Sequence, residues 1–378
     1  MTYRPRRRAS RLSAGIAALA ATVLGMTVLA SPAQAAAPAK PTSLTVTRSA
    51  SGGYQLSWPA VSGATGYTVY RQLPVRQEQD GHGWLVVGST WTTVATLGKV
   101  TSYRTSDLVT SEVNASYASG QFAVAARNSS GTSAKRAGIA GCASGYFISA
   151  RGSNQNPTSP STNPSSYASG LGSRGLAVYE DARKRLGLTR SQFQANMVNY
   201  PAVNPANWRS LDLSSYYGTS VTIGTNDTSN QVNRIVSKCP SARIVLFGYS
   251  QGGQVVGNAF QGLTSTTKKS VTQVHLFADA RRNSSDSGIF HRPIMAAGEN
   301  GIAGKRGTFT GLTDKLQVNS WCWSADDICS WDKIGLTVHG SAYDCYEDWV
   351  AHHIAARAKT KGWRSAPDTT HPTCSMKI

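Results

Sequence analysis

The run Arg243-Ile244-Val245-Leu246-Phe247 passes directly into Gly248-Tyr249-Ser250-Gln251-Gly252, and a helical stretch over 253–261 follows without a break. A short apolar run that ends at a glycine reads as a buried strand. A strand that turns into a helix within so few residues has no room for a Cβ at the flanks of the turn. Gly248 and Gly252 meet that demand. The turn lifts the hydroxyl between them clear of the sheet, which makes Ser250 a candidate nucleophile.

Two further apolar runs, Tyr146-Phe147-Ile148 and Val274-His275-Leu276-Phe277, belong to the same pattern. Helical stretches over 229–237 and 348–359 stand between and after them. Buried strands that alternate with helices require a parallel sheet covered on both faces, so this part is a three-layer α/β domain. The preceding part differs. Leu44-x-Val46, Tyr54-x-Leu56-x-Trp58, Tyr67-x-Val69 and Phe122-x-Val124-x-Ala126 alternate with period two between Gly, Ser and Asn clusters, as antiparallel strands of an all-β sandwich do. A length of 378 residues accommodates both.

The first 35 residues belong to neither. Arg4, Arg6, Arg7, Arg8 and Arg11 precede an apolar stretch from Ala14 to Ala30, and Ala33-Gln34-Ala35 offers small-x-small cleavage. This is the pattern of a secretory signal peptide over residues 1–35, which implies a secreted, extracellular protein with no membrane insertion after cleavage. Losing those five arginines lowers the formal charge from +19 to +14. The remaining charges are dispersed, and no basic run with interleaved aromatics marks a nucleic-acid groove. The chain is expected to be a monomer. All six cysteines (Cys142, Cys239, Cys322, Cys329, Cys345 and Cys374) lie in the second part. In an exported chain an even count reads as three disulfides. A metal site is disfavoured because there is no C-x-x-C and His352 and His353 are adjacent.

An activated serine needs a base and an orienting acid, following it in the order Ser, Asp, His. His352 and His353 fall in a helical stretch and His371 lies near the C-terminus, whereas His339 precedes Gly340 in a loop that can reach over a sheet edge. Just upstream, Cys322-Trp323-Ser324-Ala325-Asp326-Asp327-Ile328-Cys329 places two acids between close cysteines.

Residues 141–358 resemble the cutinase family, which includes cutinases and acetylxylan esterases. The resemblance rests on Ala150-Arg151-Gly152-Ser153, Tyr200-Pro201-Ala202, Cys239-Pro240, Gly248 to Gly252, Asp279, Cys322 to Cys329, and His339 with Tyr343. It implies an α/β-hydrolase fold over 141–378 and a triad of Ser250, Asp326 and His339. It assigns the oxyanion hole to the backbone N–H groups of Ser153 and Gln251, with the Ser153 hydroxyl as a possible addition. It also implies disulfides Cys142–Cys239 and Cys322–Cys329, which leaves Cys345 with Cys374. Asp327 departs from the family pattern and is expected at the surface, outside the chemistry. Trp321, Trp323 and Trp331 are expected to pack on the small disulfide and core.

Residues 41–136 resemble a fibronectin type III domain through Leu56-Ser57-Trp58, Gly66 to Tyr70, and Phe122 to Asn128 with Gly131. Gly120 replaces the expected corner tyrosine. Residues 75–90 read as an enlarged irregular loop carrying Trp84 and Trp91, while Trp58 reads as core. The module is expected to act as a spacer or stabilising neighbour.

These resemblances imply a serine esterase that needs no metal or organic cofactor and whose partner is an ester polymer. Cutin or suberin comes first, favoured by the thirteen-residue step from Asp326 to His339. Acetylated xylan is the alternative, favoured by Gly252-Gly253-Gln254. A polysaccharide-binding protein with an inactive hydrolase domain is the alternative of another class, and the intact Ser250, Asp326 and His339 argue against it.

Overall fold

The computed structural model describes residues 36–78, 84–105, 121–155, 170–205, 216–292, 299–331 and 338–362. Residues 1–35, read above as an export signal, Gly120, His371 and Cys374 lie outside the described residues.

The first part forms two antiparallel sheets. Strands β1 (Thr45–Arg48), β2 (Tyr54–Ser57) and β5 (Ser102–Arg104) make one, in the order β1-β2-β5. Strands β3 (Gly66–Glu78), β4 (Trp84–Leu97), β6 (Gln121–Asn128) and β7 (Gly131–Thr132) make the other, with β8 (Arg136–Ile139) paired to β6. The alternate residues Val46, Leu56, Trp58, Tyr67, Val69, Phe122 and Val124 fill the space between them. Trp58 is core, as expected, and its ring lies 5.4 Å from that of Tyr67. The enlarged-loop reading of 75–90 is overturned. Strands β3 and β4 stay paired from Tyr67↔Leu97 to Glu78↔Trp84, with register shifts at Val69/Tyr70 and Val75/Arg76. Bulges of this kind bend and twist a long hairpin without ending its ladder.

The second part is a six-stranded sheet in the order β10-β9-β11-β12-β14-β13. Its strands are β9 (Gly145–Ala150), β10 (Phe193–Met197), β11 (Arg243–Tyr249), β12 (Val271–Phe277), β13 (Phe290–Arg292) and β14 (Val318–Trp321), and every pairing is parallel. Successive side chains leave a strand on opposite faces, and both faces are buried. Phe147, Phe193, Val245, Phe247, Phe277 and Trp321 pack beneath α1 (Ser173–Arg185) and α5 (Tyr346–Thr360). On the other face Ile148, Ile244, Leu246, Val274, Leu276 and Val318 pack beneath α2 (Tyr216–Lys238) and α3 (Gln251–Gly262). A short helix α4 (Ser265–Lys268) leads into β12. No helix among the described residues is long and apolar enough to cross a membrane.

The two parts touch through Arg48. Its guanidinium donates to the carbonyls of Gly141 (2.7 Å) and Ser191 (2.6 Å) and to Gln194 Oε1 (2.7 Å). Cys142–Cys239 ties the chain entering β9 to the end of α2.

Two histidines, one inside this core and one half-buried against Trp321 at its edge, stay neutral. His275 on β12 is fully buried and accepts from Trp321 Nε1 at 3.2 Å. Burial, reinforced by His353, Arg292 and Arg357, holds its pKa well below the usual histidine value. Burial, with Arg292 and His352, pulls that of His353 down to about 3. Both groups bind a proton more readily unfolded than folded, so the stability they permit is present above about pH 6.5 and is lost on acidification. The melting temperature is therefore expected to hold near neutral pH and fall between about pH 6.5 and pH 4. His353→Phe should flatten that fall in a calorimetric pH series.

Candidate active site

Ser250 stands between β11 and α3 with φ 57° and ψ −121°, a left-handed backbone that non-glycine residues rarely take. Its N–H donates to Phe277 O at 2.8 Å, and its carbonyl accepts the helical bond from Gln254 at 3.2 Å. The flanking glycines are required by close approach. A Cβ on Gly248 would lie 2.1 Å from Gly252 O, and one on Gly252 would lie 2.0 Å from Ala150 O. The end of β9 therefore runs against the start of α3.

The other two members come from loops beyond the sheet's carboxyl edge. Asp326 follows β14 within the loop closed by Cys322–Cys329 and has no exposed surface. His339 Nδ1 lies 2.9 Å from Asp326 Oδ1 and 3.0 Å from Oδ2, and its Nε2 lies 3.0 Å from Ser250 Oγ. An ionised carboxylate only accepts, so Nδ1 carries the imidazole proton and Nε2 presents its lone pair to the serine hydroxyl. The structure thus brings Ser250, His339 and Asp326 into one hydrogen-bonded chain.

The histidine is held by its surroundings. The Tyr249 ring stacks on it at 5.3 Å between centroids and an interplanar angle of 16°, and Tyr249 Oη donates to His339 O at 2.9 Å. Burial pushes the Tyr249 hydroxyl up to about 12, so it remains a donor. From α1, Arg174 donates to Gly340 O and pairs with Glu347 and Asp344. Its guanidinium also lies 5.1 Å from the centre of the Tyr249 ring. Sequence reasoning missed Arg174, whose partners stand more than 160 positions away.

Ser153 and Gln251 lie on the two segments that flank the serine. Gly152 packs so closely that a Cβ there would sit 3.5 Å from that of Ser250. The buried Arg151 fixes this loop, donating to the carbonyls of Tyr200 (2.6 Å) and Pro201 (3.1 Å), while Asn154 N donates to Ala202 O at 2.9 Å. Gln251 opens α3. Its side chain is turned to Ser220 and Val203, so its backbone N–H is the group available to a substrate. Neither the Ser153 N–H nor the Gln251 N–H has an acceptor among the described residues. Partial positive charge collects at such a helix start.

Around the acid loop, Trp321 is buried in the core and Trp323 packs on it half-buried. The expectation that Asp327 lies at the surface is overturned: it is as fully buried as Asp326. The first two expected disulfides are formed. Cys345 is also disulfide-bonded, and its expected partner Cys374 lies outside the described residues. No cluster of three or more potential metal ligands occurs among the described residues.

A parallel sheet covered on both faces, with a serine on the turn from its central strand to a helix, defines an α/β-hydrolase fold. Comparison with known proteins makes this more specific. The cutinase family model matches residues 141–357, more than half of the chain. The chain belongs to the cutinase family. It is similar to carboxylesterase Culp1 of Mycobacterium tuberculosis, with 34% identity over 112 residues covering 30% of this chain and 46% of that protein. It is also similar to cutinase cut1 of Trichoderma harzianum, with 45% identity over 53 residues covering 14% and 21%. The catalytic core domain of acetyl xylan esterase from Trichoderma reesei superposes with a TM-score of 0.43 at 20% identity, covering 57% of this chain and 99% of that one. The matched stretches thus span less than half the length of these curated relatives.

The tight packing at Gly252 makes a sharp prediction. Gly252→Ala must push β9 and α3 apart, because the obstructing atom is backbone. It should cost about 1–3 kcal/mol, read as a melting temperature lower by several degrees. Labelling of Ser250 by a fluorophosphonate should slow by about 100-fold, as a small misplacement of a reacting group does.

Proposed function

We propose that the chain is a secreted serine carboxylic-ester hydrolase that cleaves polymer esters of the cutin or suberin type, together with short-chain acyl esters, through an acyl-enzyme. The observation that carries this reading is the continuous hydrogen-bond chain from Ser250 Oγ through His339 to Asp326. In this reading Ser250 Oγ attacks the ester carbonyl as His339 Nε2 takes its proton. Asp326 keeps the imidazole in the required tautomer and stabilises the imidazolium. The oxyanion is received by the N–H groups of Ser153 and Gln251, and one such donor is typically worth ~3 kcal/mol. His339 then returns the proton to the leaving alkoxide. Water repeats the sequence on the acyl-enzyme and frees the acid.

Residues 1–35 serve as the export signal in this reading, and Cys345 pairs with Cys374. Residues 41–136 form a fibronectin type III-like module that acts as a spacer and stabilising neighbour. The alternation of core residues in the sandwich supports that assignment. The chemistry runs on this chain's own side chains and backbone.

Asp326→Asn should lower kcat by about 10⁴-fold through the wrong imidazole tautomer. Ser250→Ala should abolish turnover, with the circular dichroism spectrum unchanged in both. Rates on nitrophenyl esters from two to sixteen carbons, measured beside acetate release from acetylxylan, test the substrate class. Sustained turnover on the longer chains supports the polyester reading. Steep loss beyond four carbons, with acetate released, would transfer the assignment to acetylated xylan. Full activity in a folded Ser250→Ala protein would remove the serine mechanism altogether.

A further inference from the structure

The Asp326 carboxylate has a third partner that the triad does not require. Tyr343 closes the 3-10 turn Ser341–Tyr343 just after His339, and its ring is buried. Its hydroxyl lies 2.6 Å from Asp326 Oδ2. Three neighbours compete for the single proton of that hydroxyl, and chemistry decides among them. The backbone N of Trp323, 3.2 Å away, is itself a donor, so the hydroxyl accepts there. Cys329 Sγ, 3.3 Å away, is a disulfide sulfur, a far weaker acceptor than the carboxylate at 2.6 Å. The proton therefore points at Asp326. Burial and the nearby carboxylate hold the Tyr343 hydroxyl well above the usual tyrosine range, so it keeps that proton.

The remaining contacts show why this matters for geometry. Ile328 N–H donates to Asp326 Oδ1 at 3.0 Å, and His339 Nδ1 stands nearly equidistant from both oxygens. One fixed donor on each oxygen prevents the carboxylate from rotating about its Cβ–Cγ bond. The backbone donor holds Oδ1, and among the described residues Tyr343 is the only side chain besides His339 itself that donates to Oδ2. We propose that Tyr343 is a positioning residue, whose hydroxyl sets the plane in which Asp326 meets His339. This rests on the Ser250–His339–Asp326 reading and deepens it. The Trp323 N–H, donating to the Tyr343 hydroxyl, in turn holds that hydroxyl in place.

The test is a double-mutant cycle of Tyr343→Phe and Asp326→Asn, read by steady-state hydrolysis of nitrophenyl butyrate per folded molecule. Tyr343→Phe is expected to lower kcat about tenfold, the scale of one hydrogen bond to a charged group, with KM changed less than about twofold. In the Asp326→Asn background the same change should cost less than about twofold, since the group it positions has lost its charge. Unchanged kcat in Tyr343→Phe overturns the proposal, as does an equal tenfold loss in both backgrounds, which marks a general packing defect. Full activity in Asp326→Asn alone overturns the triad reading and the proposal with it. Should the phenylalanine variant not fold, 3-fluorotyrosine at position 343 retains ring and hydroxyl. The low-field proton resonance of the His339–Asp326 hydrogen bond should then shift with fluorination, and an unmoved resonance overturns the proposal.

Discussion

A carboxylate with no exposed surface is the constraint around which this site is built. Removing a charge from water costs several kcal/mol unless donors replace the lost hydration. Asp326 receives them from Ile328, Tyr343 and His339, so each of those groups has its position dictated by the same charge. The loop closed by Cys322–Cys329 supplies the backbone donor, and the turn before α5 supplies both the histidine and the tyrosine. Arg174 on α1 and Tyr249 on β11 secure that turn, through Gly340 O and His339 O. The serine needs none of this. Its place follows from backbone hydrogen bonds to Phe277 and Gln254 and from packing, at a turn where Gly248 and Gly252 leave no free volume.

What the sequence disclosed follows from this division of labour. The Ser250 turn is local, so strand, glycines and helix announce it within a dozen residues. His339 and the pair Asp326-Asp327 are legible as candidates from the residues. The choice of Asp326 needs the resemblance, because the meeting of acid and base depends on how two loops close over the sheet. Of the six strands, the three apolar ones are legible. Strand β10 is not, since Phe-Gln-Ala-Asn-Met interleaves polar side chains with apolar ones. Gln194 and Asn196 are buried all the same, because Gln194 donates to Asn196 and Asn196 to Gln231. The first half of α2 is equally hidden, since its Gly, Thr, Val and Ile residues have weak helical preference, and packing against α3, where Gly224 meets Val255, overrides it.

Errors of reading have physical reasons too. The β3–β4 hairpin looks irregular because Pro74, Gly88 and charged residues interrupt its alternation, yet ladder pairing persists through the bulges. Asp327 looks like a surface residue because a second acid beside Asp326 has no place in the chemistry, and local sequence does not report burial. Arg174 carries no local signature, since nothing in Ser173 to Leu176 signals a contact with the histidine loop.

The anchorage of Arg48 has a geometric corollary. Gly141 and Ser191 precede β9 and β10, so the sandwich is pinned to the amino edge of the parallel sheet. Ser250 lies at the carboxyl edge, a strand length of about 20 Å away. The sandwich is thus anchored at the end of the sheet opposite Ser250, and whatever it rests on lies away from that serine.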